Sequence, residues 1–152
     1  MKNVLTSIFL ICLLISCQDA VLEKEKEAAR MTLEQHLNSV SNRDIDHLTR
    51  TLPEDSKILL ILPGQEMITT TEAFLDYHRD WFEDTSWTFE PKILEFNAGL
   101  YFGMAVVEVM YKEPNRNGKP YFNRMIVSYD LEKQNGEWVV IKDQTSSIEK
   151  SE

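Results

Sequence analysis

The stretch FLDYHRDWFEDTSWTF, residues 74–89, changes its period half-way, and that change decides the fold. Phe74, Tyr77, His78, Trp81 and Phe82 stand at i, i+3, i+4, i+7 and i+8, the spacing of one helical face, while Asp76, Arg79, Asp80 and Glu83 fall outside it. Beyond Ser86 the period becomes two, so Trp87 and Phe89 share one face of a strand. Thr69, followed three residues later by Glu72, reads as a capping box that starts the helix.

Upstream of this switch the chain is mainly helical. Ala29, Leu33, His36, Leu37 and Val40 mark one face of a first helix running from about Leu22 to Ser41. Asp44 is placed to cap a short second helix bearing Ile45 and Leu48, which Pro53 stops. KILLILP and QEMITT then read as two short strands about the turn pair Pro63–Gly64. Downstream the chain is extended. WTFEPKILEF carries Pro91, which disturbs a ladder as a bulge or an edge strand does. LYFGMAVVEVMYKE is apolar on both faces and predicts a central strand covered on both sides, with Glu108 its mid-strand charge. YFNRMIVSYDLE and EWVVIKDQTSS flank Asn135–Gly136, a hairpin turn. Helices first and an antiparallel meander afterwards make an α+β fold, with three helices from the N-terminal half packed on one face of a curved sheet.

The front of the chain has a different purpose. Lys2, an apolar run from Val4 to Ile15, then Ser16 and Cys17 follow the order of a secretory signal peptide. A twelve-residue run, almost wholly apolar, is too short to span a bilayer, which takes about 20 apolar residues. Leu14-Ile15-Ser16-Cys17 resembles the lipobox of bacterial lipoproteins, which implies cleavage after residue 16 and a lipid on Cys17, with palmitate-type acyl chains as the membrane anchor. The expected organisation is a signal peptide over 1–16, a flexible polar tether over 17–27, and one domain over 22–148. Gln18 stands where an aspartate can hold such proteins at the inner membrane, so the expected location is the cell envelope of a Gram-negative type, with the outer membrane preferred.

Cys12 leaves with the leader and Cys17 takes the lipid, so the mature domain has no thiol for a disulfide and must rest on its core. With Lys2 gone, fifteen Lys and Arg face twenty-five Asp and Glu, net −10. Such a surface repels phosphate backbones, which argues against nucleic acid as a partner. Membrane contact is expected through the lipid and not through the domain.

The order of helices and strands, together with SNRDIDHLTRTLPED and NGEWVVIKDQTSS, resembles the SnoaL-like proteins of the nuclear transport factor 2-like superfamily. The resemblance covers Leu22 to Ile148. It implies a cone, in which a mixed, mainly antiparallel sheet curls round a cavity closed by helices. Members include isomerases, cyclases and dehydratases as well as binding and dimerising modules, so the fold does not fix the function. Trp138, Asp143 and Ser146 match the closing motif, whereas Lys142 and Gln144 stand where the family often has His. Glutamine accepts no proton at neutral pH, which weakens a catalytic role for that strand.

Candidate residues follow from both readings. His78 is either a general base turned into the cone or a core histidine bonded to a backbone carbonyl, and the second is preferred. His36 has a weaker claim of the same kind, and His47 is expected in solvent. Asp143 is the second candidate base, with a low-dielectric cone raising its pKa. Trp81, Trp87 and Phe89 either line an aromatic pocket for a ligand or pack the helix on the sheet, and the second is preferred, though a cavity wall does both. Arg124 and Gln144 are candidate ligand contacts if they point inward. The alternative for Arg124 is an outer-face ion pair with its neighbours. Scattered histidines without ligand spacing argue against a metal, and five glycines without a Gly-rich loop argue against a nucleotide cofactor. The preferred reading is a lipid-anchored domain that binds a small, partly apolar molecule or a partner protein without catalysis. The alternatives are an isomerase or hydro-lyase using His78 or Asp143, and a homodimeric structural module. Whether His78 and Asp143 face one cavity discriminates between the first two.

Overall fold

The computed structural model describes residues 18–54 and 58–151. The apolar leader, the Leu14–Cys17 motif and the cysteine expected to carry lipid lie outside the described residues. The helices are α1 (Lys2–Asn42), α2 (Ile45–Thr49) and, after the first two short strands, α3 (Thr71–Glu83). Six strands follow the order β1 (Leu59–Ile61), β2 (Met67–Ile68), β3 (Thr88–Ala98), β4 (Phe102–Arg116), β5 (Lys119–Gln134) and β6 (Glu137–Lys150). Among the described residues no helix is long and apolar enough to cross a membrane.

Ala29, Leu33, His36, Leu37 and Val40 are all buried, so the face read from their spacing is the one that α1 lays on the sheet. The helix begins earlier than Leu22, however. It is already formed at residue 18, and Glu25 accepts from Trp138 Nε1 at 3.0 Å and pairs with Lys133 Nζ at 2.6 Å. The contacts of the domain therefore start inside the stretch expected to be tether. Apolar periodicity could not reveal this, because a single carboxylate facing two donors makes the contact.

Asp44 caps α2 as expected, its carboxylate accepting from the His47 amide at 3.0 Å. The cap of α3 is Thr70 and not Thr69: Thr70 Oγ1 accepts from Ala73 N at 3.2 Å, which leaves Glu72 one position short of a capping box. Between α1 and α2, Arg43 takes a left-handed φ of 57°, uncommon for a residue with a side chain. Its guanidinium offsets that strain by lying 3.9 Å over the Trp87 ring and donating to the carbonyls of Asp84, Thr85 and Trp87. One side chain thereby ties the end of α1 to the link between α3 and β3.

The sheet runs β2-β1-β6-β5-β4-β3, antiparallel except for the parallel pair β1–β6. It is thus the mixed α+β sheet expected, with α1 packed across β3 and β6. Asn135–Gly136 makes the β5–β6 turn with positive φ at both positions, and Asn117–Gly118 does the same between β4 and β5. Pro91 is tolerated because β3 is an edge strand; the bulge lies three residues on, at Leu94. A second bulge, at Ile141, separates the pairs Leu131↔Val140 and Asp130↔Lys142.

β4 departs from its expected position. It is second from the edge, and only Ala105, Val107, Val109 and Tyr111 are buried, while Val106, Glu108 and Met110 on the other face are half-exposed. Helices cover one side of the sheet only, so apolar residues on both faces did not imply two layers. The core extends from Ala28 to Val140, so a chain beginning at Gln18 holds all of it. That chain is expected to melt cooperatively without reductant.

Trp87 is 1% exposed at the centre of this core, donating from Nε1 to the Trp81 carbonyl at 3.1 Å and stacked on the Trp81 ring at 4.4 Å. Trp87→Ala is expected to cost about 3–5 kcal/mol in urea denaturation, the usual cost of emptying a buried aromatic site. Trp81→Ala should cost clearly less, because Trp81 has the core on one side only. Equal losses would contradict this placement.

Candidate functional site

The concave face of the sheet, α3 and the end of α1 border a half-open cavity of about 370 Å³. His78 from α3 and Asp143 from β6 both line it. The bulge at Ile141 makes this so. Trp138 and Val140 face inward, and without an extra residue the next inward positions would be Lys142 and Gln144. With Ile141 inserted the parity changes: Asp143 pairs with the buried Tyr129, Thr145 pairs with the buried Val127, and Gln144 is exposed. A one-residue shift moves every following side chain to the other face.

Asp143 is buried, and burial pushes its carboxyl up to about 7, against the opposing pull of hydrogen bonds from Thr145 and Tyr129. Thr145 Oγ1 lies 3.3 Å from Asp143 Oδ1. Burial likewise raises the Tyr129 phenol well above its ordinary value, with the Asp143 charge adding to the effect, and Tyr77 is raised for the same two reasons. His78 donates from Nδ1 to the Phe74 carbonyl at 2.8 Å, which fixes its tautomer and leaves Nε2 as the acceptor. Desolvation lowers its pKa to about 4, so the ring is neutral at pH 7.

The remaining predicted residues separate. Trp81 and Phe89 line the cavity, whereas Trp87 sits behind Trp81 in the core and touches no part of it. Arg124 lies on the outer face, held by Glu108 at 3.2 Å and Glu149 at 3.4 Å, a half-exposed pair worth about 0–1 kcal/mol. Gln144 is also outside. Neither is a cavity contact: Arg124 falls on the outward parity of β5, between the inward Asn123 and Met125, and the β6 bulge turns Gln144 out. His36 is wholly buried in the core, its Nδ1 donating to Thr51 Oγ1 at 2.8 Å while that hydroxyl donates to the Leu48 carbonyl, and burial lowers its pKa to about 3. His47 is on the surface beside Asp44.

The sequence reading missed the other end of the cavity. There Tyr111 donates to Glu113 at 2.6 Å, Arg116 Nε holds Glu113 at 2.7 Å, and the Arg116 guanidinium lies 3.4 Å over Tyr121. Asn123 completes this end. A signal for it exists: Tyr121, Asn123, Met125, Val127 and Tyr129 alternate along β5, with one amide in an otherwise apolar and aromatic set.

The sequence profile of the SnoaL-like domain matches residues 29–149. The chain belongs to this family. Solved structures agree on the fold of the SnoaL-like domain. A ketosteroid isomerase-like protein from Erwinia carotovora atroseptica superposes with a TM-score of 0.69 at 18% identity, covering 82% of this chain and 97% of that one. A type 2 hexachlorocyclohexane dehydrochlorinase superposes with a TM-score of 0.73 at 13% identity, covering 88% and 91%. A dehydratase candidate of the nuclear transport factor 2-like family from Streptomyces avermitilis gives 0.69 at 9% identity, covering 83% and 97%. At such identities the likeness is one of fold. No curated protein sequence matches the chain.

The buried acid and histidines give stability a defined pH dependence. Asp143 titrates higher folded than unfolded, so its contribution is full below about pH 4 and is lost as pH rises to about 7. His78 and His36 titrate lower folded than unfolded, so theirs is full above about pH 6.5 and is lost as pH falls towards 4 and 3. Asp143→Asn should therefore gain on wild type by a few kcal/mol between pH 4 and pH 7 in urea titrations. His78→Gln should lose less than wild type over the same interval on acidification. A constant difference between wild type and Asp143→Asn across that range would show that Asp143 titrates normally.

Proposed function

We propose that the cavity binds a small, partly apolar molecule, and that a lipid on Cys17 holds the domain at the cell envelope. The observation that supports binding is the composition of the wall. Aromatic side chains from α3, β3, β4 and β5 line a half-open space that has a buried acid and a neutral histidine on its surface. A mainly apolar pocket with a few convergent polar groups is the usual form of a ligand site. The lipid rests on the Leu14–Cys17 motif at the end of a signal-like segment.

A second reading is favoured by a specific observation: His78 and Asp143 share the cavity. In this reading the domain is an isomerase or hydro-lyase, and the base is Asp143. A carboxylate poised near pH 7 matches the pH at which it would accept a proton, while His78, depressed to about 4, is a poor base and a good neutral hydrogen-bonding partner. Tyr77, lining the same end, is a donor to an oxyanion developing on the substrate.

Extraction of the protein purified from its native membrane, followed by mass spectrometry, should release a stoichiometric small molecule whose re-addition raises the melting temperature. An empty protein indifferent to its own membrane extract would oppose the binding reading. If the molecule carries a C–H beside a carbonyl, the catalytic reading expects deuterium uptake from heavy water with wild type and at least 100-fold slower uptake with Asp143→Asn. Unchanged uptake would leave binding alone. For the anchor, Cys17→Ala is expected to leave an uncleaved precursor without lipid, and a mature N-terminus elsewhere would remove the lipid from the account.

A further inference from the structure

Asn123 lies on β5 with 8% of its surface exposed, lines the cavity, and receives no hydrogen bond at Oδ1 from any described group. Buried polar atoms in folded proteins are nearly always paired, and leaving one unpaired is destabilising. Its neighbours cannot help. The Tyr111 hydroxyl directly across the ladder is committed to Glu113, and Arg116 is held by the same carboxylate. The carboxamide thus makes no use of a strong acceptor at the cost of desolvating it. Oδ1 is turned away from solvent, but the terminal amide torsion of asparagine is broad, which leaves the carboxamide free to turn within the cavity wall that the residue forms.

The position of Asn123 is informative as well. It faces the same side of β5 as Tyr129, six residues on, which pairs with Asp143. That is about 20 Å along a flat strand at 3.3 Å per residue, shortened by the curl of the sheet and by side chains reaching inward. Only Met125 and Val127 face the cavity between them. The cavity therefore has a polar group at each end and an apolar middle walled by aromatic rings.

We propose that Asn123 is a ligand-binding residue, and that the ligand is a flat, elongated molecule with a hydroxyl or N–H at the end remote from Asp143. This rests on the binding reading above and specifies the ligand class. The donor pairs with Asn123 Oδ1, the apolar body lies on Met125, Val127 and Trp81, and the second polar group meets Asp143 and His78. A molecule polar at one end only, such as a simple acyl chain, leaves the amide unpaired and is discriminated against.

Biphenyl, 4-hydroxybiphenyl and 4,4′-dihydroxybiphenyl test this in calorimetric titrations of the chain from Gln18, which carries the whole described core. Wild type is expected to bind the diol about tenfold more tightly than the mono-ol, the worth of one buried hydrogen bond. In Asn123→Leu the two should bind alike, with biphenyl affinity unchanged. In Asp143→Asn the preference at the Asn123 end should persist. Asn123→Leu should also melt at the same temperature as wild type or higher, because an orphaned amide is exchanged for an apolar side chain of similar size. Equal binding of diol and mono-ol by wild type, or a diol preference that survives Asn123→Leu, overturns the assignment and leaves the cavity reading intact. A marked fall in melting temperature overturns it too, since the amide would then have a structural partner. Failure of all three probes to bind would count against the cavity reading itself.

Discussion

One inserted residue in the last strand determines what this cavity can do. Ile141 bulges from β6, and from that point inward and outward positions exchange. Before the bulge Trp138 and Val140 pack the core; after it Asp143 and Thr145 face the cone, and Lys142 and Gln144 turn out. Lys142 then finds Asp130 at 2.6 Å on the outer face. Without the bulge a lysine and a glutamine would face the aromatic wall, and the acid would lie in water with an ordinary pKa. The chemistry of the site depends on backbone register before it depends on any side chain.

The cavity and the core are in tension. His78, Asp143, Tyr129 and Asn123 all remove polar groups from water, and each weakens the fold unless its hydrogen bonds are met. Three have partners within the domain: the Phe74 carbonyl for His78, and Thr145 and Tyr129 for Asp143. The fourth has none for its acceptor. The stabilising counterweight is the aromatic and aliphatic packing behind the site, centred on Trp87 and secured by Arg43 from the end of α1. Because Trp81 belongs to both the wall and the stack on Trp87, an occupant of the cavity would press on the same ring that couples α3 to β3.

Much of the fold was legible in the sequence. The 3.6-residue stripe from Phe74 to Phe82, the α1 face through Leu33 and Leu37, the Asp44 cap and the Asn135–Gly136 turn all rest on local rules, and each is present. The capping of α3 was misplaced by one residue because Thr69, Thr70 and Thr71 are chemically alike, and only backbone geometry selects among them. Burial of both faces of β4 was misread, because apolar residues on an outer face resemble those under a second layer. In the site, His78, Asp143, Trp81 and Phe89 were identified and converge on the cavity. Arg124 and Gln144 did not converge: alternation does not tell which face of β5 is concave, and the β6 bulge reverses the parity of Gln144 without a mark in composition. Asn123 was overlooked because an amide within a strand draws attention only once its lack of a partner is known.

The cone holds Asp143 buried in the wall of a cavity that His78 also lines. Carbon-13 NMR of the aspartate side-chain carboxyls, with Asp143 assigned by comparison with Asp143→Asn, follows that ionisation directly. A midpoint near pH 7 is expected for Asp143, well separated from the surface aspartates. A midpoint near pH 4, among the others, would mean that the acid is solvated and that β6 does not turn it into the cavity.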